Sequence, residues 1–346
     1  MSNPTSPPRN TIGAKVRGPF GFKKTYNFVL WFIFAGALLG FVLARFMYLN
    51  FNQFCPPSRI SNGNNAAPGE CYYYTNFNQY KIGILLHLGG VLPSGLLAVL
   101  QFTPAIRQRF VLFHRINGYA VLLLFLLSTV GALMIARHAF GGGLDVQALV
   151  GTLAIMCTVS FVLSYINVKR LQIEQHRAWM LRGWFYAGSI ITSRFIFILA
   201  ALIVSKLGGY YTARSCAQLA YIHKTAAETL AHYPACEVFF NGSNLDAQAT
   251  VKATMTGGSA SEVGAVLGMS FGMGLWVSLA LHAIGIEIYL HLTPREAERL
   301  RNVSYQRQLE AGMQNPGSAG LVVDRFGDCE PWVSQAKKES DAASSK

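Results

Sequence analysis

Arg194 lies in the run Ser-Ile-Ile-Thr-Ser-Arg-Phe-Ile-Phe-Ile-Leu, close to the middle of a long apolar stretch. An arginine at the centre of a membrane-crossing helix costs about 2.5 to 3.5 kcal/mol on insertion scales, so it is expected to face protein and to have a partner there. Two uses are open for it: an ion pair that serves helix packing, or an orienting cation for an anionic group of a substrate or for the carboxylate that acts on it. Carboxylates are scarce near such stretches. Glu262, Glu287, Asp145 and Glu174 stand at or beside their ends. A carboxyl group that is desolvated stays protonated at neutral pH and can donate a proton, whereas one at the headgroup level remains a solvated anion. Glu262 and Glu287 are the candidate proton donors, with Arg194 beside them as the candidate cation.

The histidines form a second set. His87, His114, His138, His176, His282 and His291 all fall inside apolar stretches or at their mouths. Histidines at matched depth on neighbouring helices can ligate haem iron, which makes His87, His114, His176 and His282 the candidate ligands of a haem b. The competing reading is headgroup contact, because two of them sit beside arginine, in His114-Arg115 and His176-Arg177. Aromatic residues crowd the same segments. Trp184, Tyr186 and Trp276, with Phe185, Phe195, Phe197 and Phe271, either face lipid and the interface or offer π faces to a developing cation.

These residues must be positioned by membrane helices. Of 346 residues, 52% are hydrophobic and 13% charged, against about 25% charged in a typical soluble domain. The deficit is concentrated in runs of about 20 residues, each long enough to cross a hydrocarbon core roughly 30 Å thick. The expected class is all-α: a polytopic bundle of about six helices, near 28–49, 82–102, 119–135, 146–168, 183–204 and 263–290. The net charge of +13 does not point to nucleic acid, since the Lys and Arg residues collect in short segments between apolar runs, the positive-inside pattern. Residues 1–25, with Arg9, Lys15, Arg17, Lys23 and Lys24, form a basic leader. Residues 26–292 form the membrane domain, with lumenal loops near 50–81, 136–145 and 205–262, and residues 293–346 form a polar tail, all with cytosolic termini. Arg45, Arg59 and Arg137 are single exceptions to the charge pattern.

Two features check that topology without using charge. Cys55 and Cys71 fall in the first loop and Cys216 and Cys236 in the last, so each loop is expected to close a disulfide in an oxidising compartment. Cys157 and Cys329 fall where a reduced thiol belongs. The sequon Asn241-Gly-Ser243 lies in the last loop and is open to a glycan, while Asn302-Val-Ser304 lies in the tail and is not. Helix packing is anticipated from Gly264, Gly268 and Gly272. Gly89, Gly90, Pro93 and Gly95 predict a bend or a cavity-lining gap near residues 82–102. The tail predicts a surface helix over 295–310 and a low-complexity end from Lys337. No phosphate-binding glycine loop is present, which argues against nucleotide-dependent chemistry.

Two motifs carry a resemblance. His-Arg-Ile-Asn-Gly-Tyr at 114–119 and Glu-Gln-His-Arg-Ala-Trp-Met-Leu-Arg at 174–182, followed by Ser-Arg-Phe at 193–195, resemble a broad family of six-helix membrane proteins of mostly unassigned function. The similarity runs from about Tyr80 to Leu290. The family is identified here as including fungal integral-membrane terpene cyclases that act late in meroterpenoid pathways. That resemblance implies an enzyme that protonates an olefin or epoxide of a farnesyl chain and lets internal double bonds capture the cation, with no redox cofactor. Such a substrate dissolves in the bilayer. The resemblance adds His114, Arg115, His176, Arg177 and Arg182 to Trp184, Tyr186 and Trp276 as substrate-binding candidates, and no metal. The implied setting is a multi-pass protein of the endoplasmic reticulum whose partners are lipid and a prenylated small molecule. Two other classes stay open: a b-type cytochrome built on the histidines, and a non-enzymatic membrane carrier.

Overall fold

The computed structural model describes residues 12–56 and 66–335. Arg9, Arg59 and the low-complexity end from Lys337 lie outside the described residues. Among those described, six helices are long and apolar enough to cross a membrane: α1 (Thr25–Leu43), then, after the short α2 (Glu70–Asn76), α3 (Asn78–Gln101), α4 (Val111–Ile135), α5 (Leu144–Lys169) and α6 (Ile173–Leu207), and finally α9 (Ala260–His291). The segment before α9 carries β1 (Tyr211–Ser215), α7 (Cys216–His223), α8 (Ala226–His232) and β2 (Gln248–Lys252), and the tail carries α10 (Pro294–Glu310). The fold is all-α apart from one antiparallel ribbon, in which Tyr211 pairs with Lys252 and Ser215 with Gln248.

The helices differ from the hydropathy reading at their ends, each time for a local reason. α1 stops at Leu43 and not near residue 49. Arg45 folds back there, its guanidinium 3.8 Å from the Phe41 ring centroid and donating to the Phe41 carbonyl, which satisfies a carbonyl of the last turn. α4 begins at Val111, eight residues before the expected Tyr119. Its polar residues are paid for by neighbours: Asn117 Nδ2 donates to the Leu97 carbonyl at 3.1 Å, and Gln101 Nε2 to the His114 carbonyl at 2.9 Å. α6 begins at Ile173 instead of residue 183 and runs for 35 residues, about 52 Å at 1.5 Å per residue. It therefore outruns the hydrocarbon core, and the 174–182 motif forms its first turns rather than a loop.

The chain forms two compact units. The first holds α1 to α4, the ribbon, α7, α8 and the first residues of α9. Its seam between α3 and α4 depends on glycine, and α3 continues through Pro93 without interruption. A Cβ on Gly90 would stand 2.5 Å from the Leu124 carbonyl oxygen, and one on Gly131 2.5 Å from that of Gly83. Gly83 and Gly90 of α3 thus serve close contact with α4, Gly95 meets Val42 of α1, and Gly89 has open space beside it. Gly264 likewise lies against the Pro68 carbonyl. Both expected disulfides are present, Cys55–Cys71 and Cys216–Cys236, with Cys157 and Cys329 free.

The second unit holds α5, α6, most of α9 and the tail. A buried polar knot fastens the tail to the turn between α5 and α6. Glu174, 6% exposed, accepts from Gln172 Nε2 at 2.5 Å and Ser304 Oγ at 2.7 Å. Gln172 in turn accepts from Gln308 Nε2 and the Gly320 amide, and Asn167 Oδ1 accepts from the Leu321 amide.

Candidate functional site

Within the second unit, α6 and α9 run antiparallel and meet in a ladder of side-chain contacts along their facing sides. At the outer rung Arg182 grips Glu287 with two bonds, Nε to Oε1 at 2.6 Å and Nη2 to Oε2 at 2.9 Å, a bidentate geometry that fixes both side chains. The Trp179 ring covers the same guanidinium at 4.6 Å. One turn earlier on α6, Arg177 donates to the Tyr289 hydroxyl at 3.0 Å. The next rung inward is His282, with Nδ1 2.7 Å from the Phe185 carbonyl and Nε2 2.8 Å from Thr192 Oγ1. Then Ser278 Oγ donates to the Ser189 carbonyl at 2.6 Å. Deepest is Arg194, whose guanidinium lies 5.5 Å from the ring centroids of both Phe197 and Phe271. Those two rings pack edge to face at 5.7 Å, and Gly274 lets Phe197 approach the α9 backbone.

Five expected site residues, Arg177, Arg182, Glu287, His282 and Arg194, thus share one helix pair. Tyr186 lies within electrostatic reach of Arg182 and Glu287. Trp184 instead packs on Phe161 at 5.8 Å, and Trp276 is 40% exposed with Nε1 donating to the Asp145 carbonyl. A shallow, mostly apolar groove lined by Ala283, Ile284, Ile288, His291 and Leu292 opens beside Glu287. The ladder can hold an anionic or polar group at the Arg182 end and present aromatic faces toward Arg194. Glu287 can give a proton only when Arg182 releases it, because both its oxygens accept from that arginine.

Glu262 is placed elsewhere, in the first turn of α9. Its Oε2 accepts from the Ser259 amide at 2.7 Å and Ser259 Oγ at 3.1 Å, so the carboxylate satisfies a backbone N–H at the start of the helix, the Glu half of a capping box. Of the histidines, His87 Nδ1 meets the Ser128 hydroxyl at 3.0 Å and carbonyl at 3.2 Å. His176 Nδ1 meets the Ser164 hydroxyl at 2.7 Å and carbonyl at 3.1 Å. His282 has both ring nitrogens engaged. His114 is half-buried near the start of α4, and its neighbour Arg115 is exposed. No group of three or more His, Cys, Asp or Glu side chains is arranged for a metal ion among the described residues.

Glu70, Arg214 and Tyr289 escaped sequence reasoning because no motif marks them, and His138 was foreseen without its partners. Glu70, 6% exposed, accepts from the Phe140 amide at 2.5 Å and the Ala67 amide at 3.2 Å. Burial lowers the pKa of the nearby Arg214, with Tyr73 and Glu70 opposing that shift; Arg214 also donates to the Gly264 carbonyl at 3.1 Å. His138 stacks on Tyr73 at 3.9 Å and meets Tyr80 edge-on at 4.4 Å. Burial, with Arg137 adjacent, pushes its imidazole down to about 4. Tyr289, the partner of Arg177, is marked by no sequence signal.

Comparison with known proteins gives a coarse result. Residues 84–227, from α3 into α8, match the model of a family described as a predicted membrane protein (DUF2306). The chain is also 26% identical over 315 residues to Ava biosynthesis cluster protein G of Aspergillus versicolor, an alignment covering 78% of this chain and 89% of that protein. No solved structure matches it. Six apolar helices and the match to a predicted membrane protein family make this chain a multi-pass integral membrane protein, and it is similar to a protein of a fungal biosynthesis cluster.

Proposed function

We propose that this protein is a membrane enzyme of a fungal biosynthetic cluster, a terpene cyclase that closes rings on the prenyl chain of a bilayer-dissolved substrate. The observation that carries this reading is the α6–α9 ladder, which combines an ionised pair, a deeper cation and two aromatic faces on one helix pair. The substrate's polar end displaces Arg182 from Glu287, the freed and desolvated carboxylate takes up a proton from water, and the resulting carboxyl gives that proton to an epoxide oxygen or a terminal olefin carbon. Internal double bonds attack the resulting cation, and loss of a proton to the carboxylate ends the sequence, so the reaction is an isomerisation and needs no redox cofactor. Arg194 orients the chain and Phe197 and Phe271 face the migrating charge. Trp184, Tyr186, His176 and Arg177 line or support the same helix.

Microsomes containing the protein, given farnesyl phenols and their epoxides, are expected to form a cyclic isomer of unchanged mass. Glu287→Gln should lower turnover by at least about 100-fold, the usual worth of a general acid, with expression intact. Full activity of that variant moves the donor to Glu262, and no conversion across the panel removes the cyclase reading. A b-type haem is the second reading, favoured by one detail. His87 and His176 each hold Nδ1 against a backbone carbonyl, the support a metal-bound imidazole uses. A Soret band in purified protein that is lost in His87→Ala or His176→Ala would establish it.

The disulfides support an endoplasmic reticulum location in which the 44–77 and 208–259 segments face the lumen. Asn241 there is exposed, and we assign it a glycan.

A further inference from the structure

A second polar cluster, in the first unit, surrounds Ser261 in the first turn of α9. Ser261 is 2% exposed and His223 4%. The Ser261 hydroxyl lies 2.9 Å from His223 Nε2, 2.8 Å from the Tyr233 hydroxyl and 2.9 Å from Ser259 Oγ. On the far side of the imidazole, Nδ1 faces Glu228 Oε1 at 3.7 Å. A carboxylate on that side favours the tautomer with hydrogen on Nδ1, which leaves Nε2 to accept the Ser261 proton. Burial, with His232 beside it, lowers the His223 pKa from the usual histidine range despite Glu228 and Glu262, so the imidazole is a neutral base near pH 7.

The backbone that delivers these groups is unusual. Lys224 has φ 73° and ψ −38°, and the Thr225 amide donates to the His223 carbonyl at 2.9 Å. That closes a three-residue γ-turn of the rare, strained hand. The turn sends the chain back so that Thr225 caps α8, accepting from the Glu228 amide at 3.1 Å, and Glu228 returns beneath His223. The Cys216–Cys236 disulfide ties the start of α7 to the segment just after Tyr233.

We infer that Ser261 is a second reactive centre, a serine nucleophile with His223 as general base and Glu228 as its orienting carboxylate, acting on carboxylic esters. The Ser261 oxygen bonds to the acyl carbon while its proton passes to His223 Nε2. That proton goes to the departing alkoxide as the ester C–O bond breaks. Water, deprotonated by the same imidazole, then cleaves the acyl-serine, releases the carboxylic acid and restores the hydroxyl. On the α8 side the Glu228 side chain is 54% exposed and His232 is exposed, so solvent reaches the carboxylate side of the cluster.

The test is labelling of the full-length, detergent-solubilised protein with a fluorophosphonate probe, which forms an O–P bond to an activated serine and expels fluoride. We expect one label per chain, mapped by mass spectrometry to Ser261 and absent from Ser261→Ala. His223→Gln should slow labelling on the order of 100-fold. Glu228→Gln, at an exposed position that does not threaten folding, should slow it severalfold. Three results overturn the inference: no label on protein whose two disulfides are intact, a label on another serine, or labelling as fast in Glu228→Gln and His223→Gln as in the unaltered protein. The first of these makes the cluster a structural hydrogen-bond network only.

Discussion

Individual residues in this protein are read correctly only with their partners. Arg194 was legible as a cation that must face protein, since its cost in lipid demands it. That its neighbours are Phe197 and Phe271 was not, because the antiparallel register of α6 and α9 determines which residues of α9 reach it. Glu287 and Glu262 look alike in sequence, each close to an end of the last apolar run, yet one closes an ion pair and the other accepts the Ser259 amide at a helix start. The difference lies in Arg182 and Ser259. His138 shows how a partner sets a titration. Held between Tyr73 and Tyr80 with its imidazole pushed down to about 4, it binds a proton less readily folded than unfolded, where histidine titrates near 6.5. The unfolded chain therefore takes up more protons as pH falls from 6.5 toward 4, and stability falls over that window; above it the contribution is fully present. Thermal unfolding in detergent between pH 7 and pH 4 should show this, with a smaller loss in His138→Phe than in the unaltered protein. Equal slopes would mean that His138 takes up its proton as readily in its stacked position as in the unfolded chain.

At the scale of elements, the six apolar runs were legible because lipid admits few alternatives to a helix whose backbone satisfies itself. Their ends were not. Hydropathy stops at the first polar cluster, but His-Arg-Ile-Asn-Gly-Tyr is helical because Asn117 and the His114 carbonyl find partners on α3. The 174–182 motif is helical because Glu174 is tied to the tail. The glycines of α3 carry opposite consequences at adjacent positions. A methyl group on Gly89 meets nothing within 4 Å, while one on Gly90 meets the Leu124 carbonyl at 2.5 Å and the Ser128 amide at 2.9 Å. Backbone cannot yield as a flexible side chain can, so Gly90→Ala should force α3 and α4 apart at a cost of about 1 to 3 kcal/mol. Gly89→Ala should be neutral or slightly stabilising, as alanine is the better helix former. Unfolding of both variants in mixed micelles measures the contrast, and equal stabilities would mean that the seam is looser than drawn.

For the whole molecule, the central question is which side each segment faces, and disulfides, charge and sequons bear on it independently. Both disulfides lie in segments that share one side if six helices cross in alternation, the side opposite the basic leader and tail. In that arrangement Asn241 falls on the same side; it is exposed and holds its side chain in a tight turn with Ser243, whose amide and hydroxyl donate to Oδ1 at 3.0 and 2.6 Å. Asn302 belongs to the other, and its sequon is closed for a structural reason as well. It lies inside α10, where Ser304 is fully buried and donates to Glu174, so no transferase reaches that hydroxyl without unfolding the tail. Expression in a eukaryotic microsomal system should therefore give a single endoglycosidase-sensitive species that disappears in Asn241→Gln and persists in Asn302→Gln. A glycan retained on Asn302 would invert the whole arrangement, placing the tail, the Arg182–Glu287 end of the ladder and the basic leader in the lumen. A polar substrate headgroup would then have to approach that ion pair from the oxidising side, and the disulfide-bearing segments would lie in the reducing one, where two closed disulfides are not expected to last.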